Sequence, residues 1–357
     1  MVTVGGVRRE RLGPRTLGQP RTRLGAVASV QHIRLGYNNV YAVDDGGGRV
    51  LVDTGPDYLG ARDVLRAGLG ERLPDAVVAT HGHLDHAGLG AFWQLLGVPV
   101  VLGAEDVHLA AAPQLAAPEE FEAFVAYVRS VGAPPDVRDE VIAGLSVRRS
   151  WAQRAAHGEG YPSMGREHRW PSGLRYQPFT PRRVVQSGDA VGCGLRVLPC
   201  PGHTPGNLVL ISEAEGWLFS GDQLLPEITP TPAIQGRAPG HGSGDWRLRS
   251  LSEFYRSLRQ LNRSTFSRCF PGHGELFDDV GAVIEANIAQ IEQRSERVAE
   301  QLSALGTTTL YCLCEALYPR ALRRRFWQIV ATVQGHCDLL EAEGRVRVVD
   351  GRYEVVG

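Results

Sequence analysis

The chain has 357 residues, of which 43% are hydrophobic and 22% are charged, and its formal net charge at pH 7 is -1. This length predicts one large domain and one smaller domain, because compact domains span about 100 to 200 residues. The near-neutral charge excludes a global electrostatic field suited to nucleic acid or to an anionic membrane. A charged partner would therefore have to meet a local patch.

The sequence predicts a protein that is not exported. Its first thirty residues contain arginines throughout and lack the apolar core of a secretory signal, and no later stretch reaches the length of a membrane span. The six cysteines form no Cys-x-x-Cys pair, which favours reduced thiols over a disulfide framework. We therefore expect a cytoplasmic protein that does not associate with membranes.

The first hundred residues alternate between strand and helix patterns. The run DAVVAT, from residue 75, is short and apolar and ends directly at His81, as expected of a buried strand. Turn sequences such as Asp53-Thr54-Gly55 separate the elements. The predicted strands span residues 35–43, 49–52, 75–80 and 99–103, and the predicted helices span residues 60–69 and 89–96.

A second round of the same plan begins near Gly194. Three strand-like segments follow one another there, LRVLPC, NLVLIS and WLFSG, and the last of them ends at Asp222. Both rounds place His and Asp residues directly after strands. The alternation predicts a layered α/β architecture, with a catalytic domain that spans residues 1–280.

The segment between the two rounds, residues 105–186, is too long for a plain connection and predicts an inserted helical lid. Residues 105–140 hold two arginines and eight acidic residues, whereas residues 141–186 hold eight arginines and two acidic residues. One interpretation is that the two halves neutralise each other. The other is an anion site over the pocket, with the candidate substrate-binding residues Arg148, Arg149, Arg166 and Arg169.

The last part of the chain, residues 281–357, has long helical patterns and ends in a hairpin. Alternating residues on both sides of Asp350-Gly351 predict two strands joined by a tight turn. Three helices and a hairpin predict a small winged-helix-like domain. Residues 282–357 hold nine arginines and ten acidic residues, which argues against DNA binding and favours packing or a homodimer contact.

The strongest functional signal is the segment THGHLDHAG from Thr80 onward, directly after a predicted strand. It gathers three imidazoles and a carboxylate within six residues. A buried strand end cannot hold four such groups unpaired, because polar groups removed from water need partners. The pattern therefore predicts a metal site with the ligands His81, His83, Asp85 and His86.

Three later motifs supply further ligands on glycine-bearing loops that follow strands. They are PGHTPG with His203, FSGD with Asp222 and PGHG with His273. A loop that contains glycine can turn tightly and expose the side chain beside it. Seven candidate ligands exceed the four of one tetrahedral site, so the sequence predicts two divalent ions.

In their order along the chain, these four motifs and the earlier Asp53-Thr54-Gly55 resemble the metallo-β-lactamase superfamily. The resemblance covers residues 35 to about 275 and implies a four-layer αββα sandwich. It also implies a division of the ligands: His81, His83 and His203 bind one ion, Asp85, His86 and His273 bind the other, and Asp222 bridges both.

The residue at position 222 distinguishes branches of this superfamily. Zinc β-lactamases commonly carry Cys or His where this chain has Asp222, so the ligand set is more similar to glyoxalase II, lactonases and related thioesterases. The run from Gly221 to Pro230, together with the C-terminal domain, resembles the subgroup called β-lactamase-like protein 2.

Such a centre has a characteristic chemistry. Two neighbouring cations can share a water, lower its pKa toward neutrality and present a bridging hydroxide to an electrophilic centre. Asp85 is a candidate to orient that water or to accept its proton, and Asp53 is a candidate acceptor behind a ligand. A plain Asx-type turn at Asp53 is the alternative. Zinc fits the His-rich ligand set, with iron and manganese as alternatives.

The leading hypothesis is hydrolysis of an acyl thioester or a related ester by this binuclear centre. The substrate would be a small acyl compound linked to coenzyme A or to a carrier protein, because arginine pairs well with phosphate. Seven aromatic residues of the segment fit either an apolar slot for the acyl group or the lid's own core: Phe121, Phe124, Tyr127, Trp151, Tyr161, Trp170 and Tyr176. Lactone hydrolysis, nuclease activity and mono-iron sulfur dioxygenation are the alternatives.

Overall fold

The computed structural model describes residues 28–157, 173–230, 233–237 and 246–356. The first round of strands forms a six-stranded mixed sheet in which neighbours in sequence are neighbours in space. Its first three strands are antiparallel, and each later strand is parallel to the one before it. The strands are β1 (Ser29–Leu35), β2 (Asn38–Asp44), β3 (Arg49–Val52), β4 (Ala76–Val78), β5 (Val100–Gly103) and β6 (Arg183–Val185).

The second round forms a five-stranded sheet. Its strands are β7 (Ala190–Gly192), β8 (Leu195–Pro199), β9 (Leu208–Ser212), β10 (Trp217–Gly221) and β11 (Arg268–Pro271). Their spatial order is β11-β10-β9-β8-β7, and only the β10–β11 pair is parallel. Because β10 and β11 are parallel, the loops that follow them, with Asp222 and His273, leave the same edge of the sheet.

Helices pack on the outer faces of both sheets. The helices of the described residues are α1 (Ala61–Leu69), α2 (Leu84–Ala87), α3 (Gly90–Leu95), α4 (Val107–Ala111), α5 (Pro118–Ser130), α6 (Pro135–Ala156), α7 (Ser250–Leu261), α8 (Val280–Leu305), α9 (Leu310–Leu317) and α10 (Phe326–Ala342). A terminal hairpin of β12 (Val346–Val349) and β13 (Arg352–Val355) follows them. Its turn residues, Asp350 and Gly351, both have positive φ, as the predicted tight turn requires.

Three apolar cores separate the layers of the sandwich. Tyr41 of the first sheet and Phe219 of the second belong to the core between the sheets. On the outer side of the first sheet, Leu65 of α1 and Trp93 of α3 share a core with its strands. On the outer side of the second sheet, Phe254 of α7 shares a core with its strands and with α8. The predicted four-layer αββα sandwich is confirmed.

The predicted strand at residues 35–43 differs from the structure. Two strands, β1 and β2, flank a turn at Gly36-Tyr37 and pair along their whole length. Strand β1 has only two buried side chains, Ile33 and Leu35, so its sequence lacks a continuous apolar alternation. The other strands and helices predicted in the first hundred residues lie within two residues of their observed bounds.

The insertion is helical, as expected, but the interval 105–186 contains more than a lid. Strand β6 pairs with β5 as the outer strand of the first sheet, so the insertion ends before Arg183. Phe121, Phe124 and Tyr127 of α5 are buried in an apolar cluster, which favours a place in the core over an apolar slot for the acyl group.

The core that buries those aromatic residues is shared with the C-terminal helices. Side chains of α5 and α6 belong to one apolar cluster with side chains of α8, α9 and α10. Polar contacts join the same parts: the Tyr127 hydroxyl donates to Gln334 Oε1 at 3.1 Å, and Tyr311 N donates to Val131 O at 2.9 Å. The insertion and the C-terminal helices therefore pack as one helical unit beside the sandwich.

The state of the cysteines and the character of the helices bear on the predictions about thiols and membranes. All six cysteines are free, and only Cys312 is exposed. Among the described residues, no helix combines the length and the apolar character that crossing a membrane requires.

Candidate metal centre

Four candidate ligands lie where β4 of the first sheet ends. His81 lies in the loop after β4, and His83 is the N-cap residue of α2. Asp85 and His86 lie inside this four-residue helix. The ligand atoms of these four residues lie within 4.8 Å of ligand atoms of His203, Asp222 or His273, which belong to loops of the second sheet.

Three imidazoles form the first half of the site, which we call the three-histidine group: His81, His83 and His203. His83 Nδ1 lies 3.0 Å from His81 Nε2 and 3.1 Å from His203 Nε2. An imidazole nitrogen is either a donor or an acceptor, so three converging nitrogens cannot all be satisfied by one another. A single cation between them would satisfy all three.

The second half, which we call the Asp85 group, consists of Asp85, His86 and His273. Asp85 Oδ2 lies 3.6 Å from His86 Nε2 and 3.4 Å from His273 Nε2. The two Nε2 atoms are themselves 3.3 Å apart. These three atoms lie close enough together for one cation to bind all of them.

Asp222 lies between the two groups and presents one carboxylate oxygen to each. Its Oδ2 lies 3.4 Å from His203 Nε2, whereas its Oδ1 lies 3.4 Å from His86 Nε2 and 3.3 Å from His273 Nε2. His81, His86 and Asp222 also form an overlapping set whose ligand atoms lie within 4.8 Å of one another. Asp222 Oδ1 is buried without a hydrogen-bond partner among the described residues, as expected of an oxygen that binds a cation.

The electrostatics of the two groups differ. Burial lowers the pKa of His203 to about 3, so the three-histidine group offers neutral nitrogen lone pairs. Burial also acts to lower the pKa of His86, but the charges of Asp222 and Asp53 raise it to about 9. Likewise Asp222 outweighs burial and raises the pKa of His273 to about 11. The carboxylates thus attract positive charge into the Asp85 group, and the whole donor set suits divalent cations.

Asp53 lies behind the ligands and orients two of them. Its Oδ2 accepts from His86 Nδ1 at 2.8 Å, and its Oδ1 accepts from the Thr80 hydroxyl at 2.9 Å and from Thr80 N at 2.7 Å. Because that hydroxyl donates to Asp53, its oxygen is left to accept from His81 Nδ1, 3.1 Å away. Both imidazoles therefore carry their proton on Nδ1 and turn Nε2 toward the site. Asp53 holds this position with a left-handed φ of 66°.

The loop with Asp222 approaches this network closely. Gly221 has a φ of 50°, and a Cβ atom there would lie 2.5 Å from the Thr80 hydroxyl oxygen. Only glycine fits at this position, because a side chain would displace the threonine that connects His81 to Asp53.

Residues at the beginning of β2 support the Asp85 group. The sequence analysis did not predict this support. The Asn38 side chain donates to Asp85 Oδ2 at 3.2 Å, and Tyr37 O accepts from His273 Nδ1 at 3.1 Å. The Tyr37 ring stacks on His273 with centroids 4.3 Å apart. Asn39 donates to the carbonyls of Pro271 and Gly274, on both sides of that ligand. The sequence held one signal of this role: two adjacent asparagines begin a strand whose other residues are mostly apolar.

Gln235 supports the three-histidine group, and nothing in the sequence pointed to it. Its side-chain amide donates to the carbonyls of Gly202 at 3.1 Å and of His203 at 2.8 Å. The loop with His203 is thereby fixed from its backbone side.

The candidate substrate-binding arginines are only partly described. Arg166 and Arg169 lie outside the described residues. Arg148 and Arg149 are half-buried on α6, and neither forms an ion pair within the described part of the chain. The Arg149 guanidinium lies 4.4 Å from the centroid of the Phe121 ring, so α5 holds this side chain by a cation–π contact.

The Asp53 contacts lead to a testable prediction. Asp53→Asn removes one acceptor and places an amide N–H against either His86 Nδ1–H or the Thr80 donors. We expect metal affinity to fall by about 10- to 100-fold, as for other partners that orient ligands. Competition with a chromophoric chelator measures it.

Asp57→Asn is the matched control for this experiment, because Asp57 is also buried but its carboxylate pairs with Arg62 at 3.0 Å. Equal metal affinity in the two variants would show that Asp53 stabilises only the Asx-type turn and does not orient the ligands.

The fold and the converging ligands define a metallo-hydrolase, and the comparisons agree. The family model described as the metallo-beta-lactamase superfamily matches residues 33–273. The chain belongs to the metallo-β-lactamase superfamily.

The chain is similar to relatives that it matches over two thirds or more of their length. The probable metallo-hydrolase YqjP of Bacillus subtilis is 29% identical over 85% of this chain and 88% of its own length. The acyl-coenzyme A thioesterase MBLAC2 of Gallus gallus is 30% identical over 67% of this chain and 73% of its own length. The crystal structure of the metallo-beta-lactamase family protein TTHA1429 of Thermus thermophilus matches 92% of this chain and 98% of its own, with 26% identity and a TM-score of 0.65.

Proposed function

We propose that this hydrolase uses two divalent ions, held by the three-histidine group and the Asp85 group and bridged by Asp222. The observation that carries the proposal is that the two oxygens of Asp222 face different groups. A single tetrahedral site would leave three of the seven ligands without a role. Zinc is the proposed metal, because imidazole and carboxylate ligands suit it.

The ions would supply an activated water and would polarise the electrophilic oxygen of the substrate. The protein's own residues set the geometry for that step. Asp53 and Thr80 orient His86 and His81, and Asn38 holds Asp85, the candidate to orient the water or accept its proton. Asp53 therefore acts through His86 as a positioning residue.

For the substrate we propose an acyl thioester linked to coenzyme A or to a carrier protein. The thioesterase named among the relatives supports this class, and so does Asp222, which is typical of the hydrolase branch. Arg148 and Arg149 remain the candidates within the described residues for contact with the phosphates of such a carrier.

Several finer points belong to the same proposal. We propose a cytoplasmic protein with a winged-helix-like C-terminal domain of residues 281–357, beside a catalytic domain of residues 1–280. That domain could form a homodimer contact, whereas its charge balance argues against nucleic acid as a partner.

A substrate screen tests the proposed activity. We expect kcat/KM for an acyl-coenzyme A to exceed that for any lactone or β-lactam by about 10-fold or more, which corresponds to roughly 1.4 kcal/mol of transition-state stabilisation. Steady-state kinetics on acyl-coenzyme A, the matched acyl-N-acetylcysteamine ester, lactones, β-lactams and RNA measure it.

The His273→Ala variant, prepared in the same way, controls for contaminating hydrolases. Faster turnover of lactones or cleavage of RNA would replace the thioesterase proposal by the lactonase or the nuclease alternative.

A further inference from the structure

A buried carboxylate outside the ligand set connects two of the ligand loops. Asp106 lies after β5 in a short 3-10 turn, and its side chain is fully buried. Its Oδ2 accepts from Gly82 N at 2.8 Å and from the Thr204 hydroxyl at 2.6 Å, and its Oδ1 accepts from Gly206 N at 2.6 Å. All three donors belong to loops that carry metal-ligand candidates.

The three donors lie close in sequence to ligands of the three-histidine group. Gly82 lies between His81 and His83, and Thr204 follows His203. Asp106 thus contacts both loops that supply the three-histidine group. None of these three hydrogen bonds involves Asp85, His86 or the loop with His273.

We propose that Asp106 is a positioning residue that sets the distance between His81, His83 and His203 and so tunes the affinity of this group alone. The proposal rests on the proposed metal centre. A partner that orients ligands typically changes metal affinity by about 10- to 100-fold, although it never touches the ion.

The contact needs a carboxylate. Two backbone N–H groups and a hydroxyl converge on its two oxygens, and a carboxylate accepts all three because it has no donor of its own. An asparagine would place an N–H group against Gly82 N–H or Gly206 N–H. The backbones of the two loops also approach closely, because a Cβ atom at Gly206 would lie only 2.5 Å from Asp106 N.

Metal titration of the full-length chain tests the proposal. The metal-free protein is titrated with Zn²⁺ against a chromophoric chelator, and the variants His203→Ala and His273→Ala identify which binding step belongs to which group. Asp106→Asn and Thr204→Val are expected to weaken the three-histidine step by about 10- to 100-fold and to leave the Asp85 step unchanged.

Two controls separate positioning from a general loss of stability. Thr204→Ser keeps the hydroxyl, so it should restore the affinity that Thr204→Val loses. Asp338→Asn alters a carboxylate that is equally buried, in the helical unit, where it pairs with Arg247. It should lower the melting temperature without changing either binding step.

The outcomes also separate this inference from the proposed function. If the wild-type chain binds two ions but Asp106→Asn weakens both steps equally, or neither, the positioning role is wrong and the metal centre stands. A wild-type chain without two binding steps would overturn both.

Discussion

Replacing Asp222 by alanine is expected to abolish hydrolysis and to weaken both metal-binding steps. Asp222 Oδ2 faces the three-histidine group and Oδ1 faces the Asp85 group, so this one change removes a ligand from each. The affinity loss should exceed about 100-fold, the upper end for residues that only orient ligands, and kcat/KM should fall by about 1000-fold or more. Elemental analysis and steady-state kinetics measure the two effects.

The comparison with Asp222→Asn sharpens this prediction. The amide keeps one oxygen, so the variant can retain one binding step while the other weakens. Loss of one ion from Asp222→Ala with activity retained would contradict bridging. One equivalent of iron and no zinc in the wild-type chain would favour the mono-iron dioxygenase over the binuclear hydrolase.

Replacing Leu313 by alanine is expected to destabilise the insertion together with the C-terminal helices. Leu313 is fully buried on α9, in the cluster that also contains Phe124 and Val128 of α5. Truncation of a buried leucine to alanine costs about 2 to 5 kcal/mol, because it removes apolar contacts and leaves a cavity. Denaturant unfolding measures the loss, and amide hydrogen exchange should show protection of α5 falling together with that of α9.

The neighbouring residue supplies the control. Cys312 is exposed on the same helix, so Cys312→Ala should change the free energy of unfolding by less than about 0.5 kcal/mol. If Leu313→Ala lowered protection only in the C-terminal helices, the insertion would be a separate lid instead of a part of one helical unit.

The candidate ligands could be predicted from the sequence because their signals are local. His81, His83, Asp85 and His86 lie within six residues after a buried strand, and His203, Asp222 and His273 each have a short glycine-bearing motif. Strand ends at the edge of a sheet bring such loops together, so the set and its order were enough to expect a cluster. The layered architecture followed in the same way from alternating strand and helix patterns.

Apart from Asp53, which the sequence named as a candidate acceptor behind a ligand, the residues that hold these ligands in place were identified only by the tertiary structure. Asp106 and Thr204 are 98 positions apart, and Asn38 and Asp85 are 47 positions apart, so no local pattern relates them. The orientation of His81 through Thr80 also depends on a carboxylate, Asp53, that lies 27 residues before that threonine. A hydrogen bond between residues so far apart in the sequence forms only when two loops pack together. That packing depends on the whole fold.

The same reason explains where the structure departs from the predicted boundaries of the insertion. An apolar pattern shows that a helix buries a face, but it does not identify the element against which that face packs. The sequence therefore predicted helices in the insertion, but only the structure shows that their apolar side chains share a core with α8, α9 and α10. Periodicity indicated the secondary-structure elements, and the short ligand motifs indicated the chemistry of the site. Long-range contacts determined the packing partners of each element, because burial is satisfied by any apolar surface of matching shape.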